Sequence, residues 1–506
     1  MNRDTTICNQ VDKLCQELKS IFYFSGKSPE IDFYISSLTE YNPFYSTEEI
    51  CQWLNEANKK KLFEVERIPL AELRKWHFDR WSGDITHESR KFFSIRGLKV
   101  CTDSGPVKEW TQPIIDQPET GLLGILIKKI NGVLYFLMQI KAEPGNINTF
   151  QLSPTVQATR SNYMQVHGGK PTPYLKYFLD KKYRKGILVD QLQSEQGARF
   201  YRKRNRNIII RVRDDEKTDV TSNFRWLTLG QIKKLVLKNN IVNMDARSVL
   251  SNISFVPKSN LSLLPIDDNN LKDCLENSPI VSKPLDLLNI KTILSSHSNT
   301  PAMHDFDYLI RQISHEKFNC QLDTHLIPLN EVQSWNRTPF KISHLAGNFF
   351  SVIGVRVFAD NREVSSWDQP IIEQTDPGIV GFIASEFNNV MHFLVQLKME
   401  SGNMDLLEIA PTVQCITGSY KKGKSPPFSK EVLNNTQNNI IFDTMQSEEG
   451  GRFFLEENRN MLLLINNQQI KEKSRYLWMT MNQLKLFLKF NNFLNIEARS
   501  LLSIIP

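Results

Sequence analysis

Between Arg160 and Lys170 the chain gathers Arg160, Asn162, Tyr163, His167 and Lys170, with Gly168 and Gly169 directly after the histidine. An imidazole titrates near neutral pH and can both take and return a proton. A phenol can donate to a developing oxyanion or to a leaving hydroxyl. Arg160 and Lys170 suit anionic phosphates, Asn162 adds a neutral donor and acceptor, and the two glycines let a ligand approach the backbone closely. Such a set fits proton transfer on an anionic small molecule, with His167 the first choice for acid/base duty and Tyr163 the second. The plainer reading is that a loop histidine is a surface hydrogen-bonding residue and that both cations are solvated.

Looking upstream for what positions this segment reveals a repeat. Trp110-x-Gln112-Pro113-Ile114-Ile115 returns as Trp367-x-Gln369-Pro370-Ile371-Ile372. At the same offset Lys141 meets Lys398, and Glu143, Gly145 and Asn146 meet Glu400, Gly402 and Asn403. Pro154-Thr155-Val156-Gln157 meets Pro411-Thr412-Val413-Gln414, and Tyr163 meets Tyr420. Further on, Gln193-Ser194-Glu195-x-Gly197-x-Arg199-Phe200 matches Gln446-Ser447-Glu448-x-Gly450-x-Arg452-Phe453, and Ala246-Arg247-Ser248 matches Ala498-Arg499-Ser500. Chance does not hold register over that distance. The organisation expected is an N-terminal unit over 1–256, a connector without counterpart over 257–300, and a C-terminal unit over 301–506.

Each unit opens with a helix: Ser46-Thr47-Glu48-Glu49 has a capping-box pattern, and Ile50, Trp53, Leu54 and Ala57 follow on one face. Strand-like runs follow at 92–100, 122–127 and 134–141, then a predicted helix over 188–201, a strand at 208–212 and closing helices near 228–238 and 244–250. Leu14, Leu18 and Ile21 predict a peripheral amphipathic helix near the N-terminus, and the connector predicts one short helix near 285–294. The fold class is α+β, an α/β sandwich used twice.

Hydrophobic residues make up 40% of the 506, charged residues 23%, and the net charge is +7. This excludes a disordered or fibrous chain and does not point to nucleic acid. Seven scattered cysteines without a CxxC pair suggest neither disulfides nor a thiolate zinc site, and no apolar run reaches membrane-spanning length, so a cytoplasmic protein is expected.

The string Leu152-Ser153-Pro154-Thr155-Val156-Gln157-Ala158-Thr159-Arg160-Ser161-Asn162-Tyr163, then Val166-His167-Gly168-Gly169-Lys170, with Trp110-x-Gln-Pro-Ile-Ile and the tandem organisation, resembles the NDP-hexose 2,3-dehydratase family over about residues 30 to 506. The resemblance implies a Nudix-hydrolase-like fold in each half, a homodimer, a dTDP-4-keto-6-deoxyhexose substrate and no redox cofactor. It implies a dTDP-3,4-diketo-2,6-dideoxyhexose product, which a downstream ketoreductase would consume in deoxysugar biosynthesis. Nudix hydrolases hold metals on a helix rich in glutamate; here only Glu195 and Glu448 occupy acidic positions of that box, a poor hard-cation cage. The expected metal set is therefore none.

The candidate site is His167 and Tyr163 for catalysis, with Arg160, Asn162, Lys170, Gly168, Gly169, Trp110, Gln112, Lys141, Gln157 and Tyr420 for binding. Trp110 reads more readily as core packing than as a base-stacking platform, and Lys141 with Glu143 reads equally as site or as structural ion pair. The second unit keeps Tyr420 but lacks the His-Gly-Gly-Lys string, so one catalytic site per chain is expected, in the N-terminal unit, with the C-terminal unit structural or a second nucleotide pocket. The competing functions are a non-catalytic nucleotide-sugar binder and a Nudix-type pyrophosphatase. The basic run Arg199–Arg206 reads as a solvated face, because its repeat carries Glu456 and Glu457 instead.

Overall fold

The computed structural model describes residues 3–60, 63–163, 171–257, 266–282, 287–297, 301–347, 349–360, 364–374, 376–416, 425–434, 439–466, 470 and 473–505, with the side chains of residues 3–5, 162, 163, 287–289 and 416 left aside. The protein is α+β, with helices packed on four sheets, three of them mixed and the five-stranded one antiparallel. Among the described residues no helix is long and apolar enough to cross a membrane.

The helix Thr47–Lys59 begins as its sequence dictates: Ser46 accepts from the Glu49 amide at 3.1 Å and Glu49 accepts from the Ser46 amide at 2.7 Å. The helix Arg3–Ile21 is also present but is not peripheral, since Val11, Leu14 and Leu18 are buried in the main core. Each half then builds a seven-stranded sheet in one order. In the first half Ile187–Ser194, Arg204–Arg211, Gly121–Ile130, Val133–Ala142 and Phe224–Thr228 lie side by side. In the second, Ile440–Ser447, Glu457–Leu464, Gly378–Phe387, Val390–Lys398 and Tyr476–Thr480 do the same. One neighbouring pair in each is parallel, Arg204–Arg211 with Gly121–Ile130 and Glu457–Leu464 with Gly378–Phe387.

The stretch predicted as a helix over 188–201 is instead the strand Ile187–Ser194 followed by a turn. Asp190 pairs across the ladder with Ile208, and the Arg206 guanidinium grips Asp190 at 2.7 and 2.6 Å from the neighbouring strand. Cross-strand pairing decides the conformation here, against helical spacing. The helix Leu287–Ser295, inside the segment expected to be a connector without counterpart, has a partner in the first half, Pro29–Leu38. Ser36 donates to the Leu134 carbonyl at 2.6 Å and accepts from the Leu229 amide, and Ser295 makes the same pair of bonds with Met391 and Met481.

The halves also exchange strands. Phe63–Ile68 of the first half pairs antiparallel with Ser351–Ala359 of the second, and Leu322–Ile327 of the second pairs with Ser94–Thr102 of the first. Each smaller sheet is completed by the opposite half, so residues far apart in sequence are fixed beside one another.

Candidate active site

The repeated motif around Glu143-Pro144-Gly145-Asn146 sits at the end of the strand Val133–Ala142, and its amide groups need partners beyond the sheet. They find them in the other half: the Gly145 amide donates to the Gly450 carbonyl at 2.7 Å, and the Leu455 amide donates to the Gly145 carbonyl at 2.8 Å. This contact delivers the turn Glu448–Arg452 of the second half to the first half's sheet. The reciprocal contact, from the Gly402 amide to the Gly197 carbonyl at 2.7 Å, delivers the turn around Gly197 to the second half.

At the first of these junctions lies a cavity of about 370 Å³. Lys141, Glu143, Gln157, Lys203, Asn205 and Asp245 contribute to it from the first half, and Trp367, Gln369, Glu449, Gly451 and Arg452 from the second. Trp76, His87, Phe92 and Phe93 form an aromatic wall; the Trp76 and Phe93 rings are 4.9 Å apart, and His87 packs edge-on against Phe92 at 4.6 Å. Arg452 lies over Phe93 with its guanidinium carbon 4.0 Å from the ring centre. Arg74 and Lys75 stand on the same wall, Arg74 held by Asp368 at 2.8 Å.

The charged groups are interlocked. Lys141 lies 3.5 Å from Glu143 and donates to the Gln157 carbonyl at 3.1 Å, while the Gln157 amide donates to Glu143 at 2.8 Å. Asn243 fixes Gln157 from behind at 2.9 Å. Lys203 donates to the backbone carbonyl of Glu119, whose carboxylate accepts from Ser161 at 3.0 Å. Burial, reinforced by Glu449, Glu143 and Glu195, pushes the Asp245 carboxyl well above its usual range. Burial also raises Glu449, with Arg452, Lys203 and Lys141 pulling back against it. Oε2 of Glu143 and Oδ1 of Asp245 are buried without a hydrogen-bond partner.

Of the residues singled out from the sequence, Lys141 and Gln157 line this cavity. Trp110 and Gln112 are not brought to it; Trp110 donates to Gln112 at 2.9 Å and Gln112 to the Ala198 carbonyl at 3.1 Å, on the opposite junction, while their repeats Trp367 and Gln369 stand in the cavity. The exchange of turns between halves is the reason. Arg160 is exposed, one position beyond the cavity-lining Thr159. His167, Gly168, Gly169, Lys170 and Tyr420 lie outside the described residues, as do the side chains of Asn162 and Tyr163. The run Arg199–Arg206 is not a uniformly solvated face, because Phe200 is core and Lys203 is 5% exposed.

The model of the family described as NDP-hexose 2,3-dehydratase matches residues 47–253 and again 307–505. The chain is 40% identical over 475 residues to a Saccharopolyspora spinosa protein named dTDP-4-dehydro-6-deoxy-alpha-D-glucopyranose 2,3-dehydratase, covering 93% of each chain. Proteins of the same name from Amycolatopsis orientalis and Streptomyces violaceoruber are 38% identical, covering 91% and 90% of this chain and 90% and 95% of their own. The chain belongs to the NDP-hexose 2,3-dehydratase family.

In this member of the family, the sequence reading missed Lys203, Asp245, Glu449 and Arg452. Asp245 and Glu497 were visible one position before the repeated Ala-Arg-Ser motif, and Glu449 and Arg452 lay within the repeated turn. What could not be read was that the second turn serves the first half's cavity.

Proposed function

We propose that the chain is a dTDP-4-keto-6-deoxy-D-glucose 2,3-dehydratase: it removes the carbon 3 proton beside the 4-ketone and expels the carbon 2 hydroxyl as water, giving a dTDP-3,4-diketo-2,6-dideoxyhexose. The observation that carries the reading is a cavity where carboxyl groups, two lysines and an arginine meet against an aromatic wall, in a chain whose relatives bear that name. The ketone makes the carbon 3 proton acidic, because its loss leaves an enolate. A carboxylate can take it, and a carboxylic acid kept protonated can deliver a proton to the departing hydroxyl. Lys141 and Lys203 supply positive charge for the enolate oxygen. Arg74, Lys75 and Arg160 suit the diphosphate, and the aromatic wall suits the flat pyrimidine.

The same reading holds that each half is a Nudix-like scaffold without the hydrolase's metal chemistry, that one cavity per chain turns over, that the protein is a cytoplasmic homodimer, and that a ketoreductase consumes the diketo product. His167 and Tyr163, expected from the sequence to be catalytic, remain candidates for that role. Incubation with dTDP-4-keto-6-deoxyglucose in deuterium oxide tests the central claim. Loss of water and entry of deuterium at carbon 2 are expected. Unchanged substrate mass would leave a nucleotide-sugar binder, and magnesium-dependent release of dTMP a pyrophosphatase.

A further inference from the structure

The two junctions share one scaffold and differ in their reacting groups. Trp335, His344, Phe349 and Phe350 reproduce the aromatic wall in the second half, with Arg199 over Phe350 as Arg452 is over Phe93. Yet Gln196 stands where the first junction has Glu449, Ala198 where it has Gly451, and Glu456 where it has Lys203. Gln196 is tied into the structure, donating to Glu448 at 2.6 Å.

Position 451 shows what these exchanges accomplish. A methyl group there would stand 3.2 Å from Glu449 Oε1 and 3.7 Å from Glu143 Oε1. Two carboxylates from opposite halves therefore face one point, and glycine leaves that point open to a ligand atom. Asp245, 2% exposed and with Oδ1 lacking a partner, lines the same cavity.

Resting on the dehydratase reading above, we infer that the hexose lies over Gly451, that Glu449 is the base for its carbon 3 proton, and that Asp245 is the acid for the carbon 2 hydroxyl. The catalytic base of the first half's cavity is thus supplied by the second half. The carbon 3–hydrogen electron pair moves into the ring as Glu449 takes the proton, leaving an enolate on the 4-oxygen. As the 4-ketone re-forms, the carbon 2–oxygen bond breaks, Asp245 gives its proton to the departing hydroxyl, and water leaves. Glu449 exchanges the proton it has taken with solvent, the remaining enol receives a proton from it at carbon 2 and returns its hydroxyl proton to Asp245, and both groups are restored. The surroundings differ in the same sense: burial and then the neighbouring carboxylates raise the Asp245 carboxyl well above its usual range, whereas burial raises Glu449 with Arg452, Lys203 and Lys141 opposing it.

Three variants of the full chain test the assignment with dTDP-4-keto-6-deoxyglucose in deuterium oxide, each checked for folding by thermal melting and for dTDP binding by calorimetry. Glutamine already fits the equivalent turn at Gln196 and alanine at Ala198, so Glu449→Gln and Gly451→Ala are expected to fold and bind dTDP. Glu449→Gln should lower kcat by about 10²–10⁴-fold and stop deuterium entry at carbon 3. Asp245→Asn should stop water loss while carbon 3 exchange continues. Gly451→Ala should lower kcat/KM by a similar factor. Carbon 3 exchange persisting in Glu449→Gln, or a kcat within about tenfold of the unaltered protein, would overturn the inference. Failure of the dehydratase reading is separate, since the unaltered protein would then neither exchange nor expel water.

Discussion

Arg247 and Arg499 are bonded reciprocally across the join between the halves: Arg247 Nε donates to Ser500 Oγ at 2.9 Å, and Arg499 Nε donates to Ser248 Oγ at 3.0 Å. Both side chains are fully buried, and each also reaches a strand-end carbonyl of the opposite half, Arg247 to Ser447 at 2.7 Å and Arg499 to Ser194 at 2.5 Å. The repeated Ala-Arg-Ser motif is the device that locks the halves together beside the cavity, since the cavity-lining Asp245 and Arg247 share the helix Met244–Leu250.

Replacing Arg247 by methionine removes these donors and strands the Ser447 and Val242 carbonyls in a dry interior. The expected loss is at least about 3 kcal/mol. Urea denaturation should show it as a lowered midpoint for the whole chain. Separate transitions for the two halves in the unaltered protein would show that the lock does not couple them.

Asp368 ties the cavity mouth. Burial pushes its carboxyl up, but Arg356 and Arg74, with the Arg74 amide, outweigh this and hold it at about 2. A depressed carboxyl stabilises the fold above its unfolded value and loses that contribution as pH falls toward the folded value. The stability gap between the unaltered protein and Asp368→Asn should therefore be full above about pH 5 and shrink toward about pH 2. Paired denaturation curves across that window measure it. A gap that does not change with pH would show that the ion pairs contribute nothing.

Much of the architecture was legible before the structure. The capping box at Ser46, the amphipathic pattern of Leu14 and Leu18, and the closing helix Met244–Leu250 are local signals, and local physics satisfied them. The strand Ile187–Ser194 was misread because its partner strand, not its own sequence, determines it. The pairing of Ser36 with Ser295 went unseen because two serines on dissimilar helices carry the equivalence. Of the residues singled out through the repeat, Lys141 and Gln157 line the cavity, whereas Trp110 was chosen over Trp367 because nothing in the order of residues reveals that the turns are exchanged. The contrast between Lys203 and Glu456 was noticed and read as tolerance of either sign on a surface. It is a difference between two enclosed junctions.

The pH dependence of turnover follows from the same asymmetry. Glu449 must be ionised to act as base, and its carboxyl is raised by burial, with Arg452 opposing, Glu143 adding, and Lys203 and Lys141 opposing. The acid limb of kcat/KM should accordingly lie above the range of an exposed carboxylate. Removing one opposing charge with Lys203→Met should move that limb to still higher pH, which a pH–rate profile reads directly. A limb that stays in place after this substitution would mean that the titrating group is not beside Lys203.

The sequence points to His167 for proton transfer, the further inference assigns it to carboxyl groups lining the cavity, and carbon 3 exchange separates the two. Exchange needs only the base, so it reports that group even when elimination is blocked. If Glu449 holds the role, His167→Gln keeps deuterium entering carbon 3 while Glu449→Gln does not, and any loss in His167→Gln appears in KM or in the later release of water. The opposite pattern, exchange lost in His167→Gln and kept in Glu449→Gln, would return the chemistry to the segment between Arg160 and Lys170 and leave the carboxyl groups as its electrostatic surroundings.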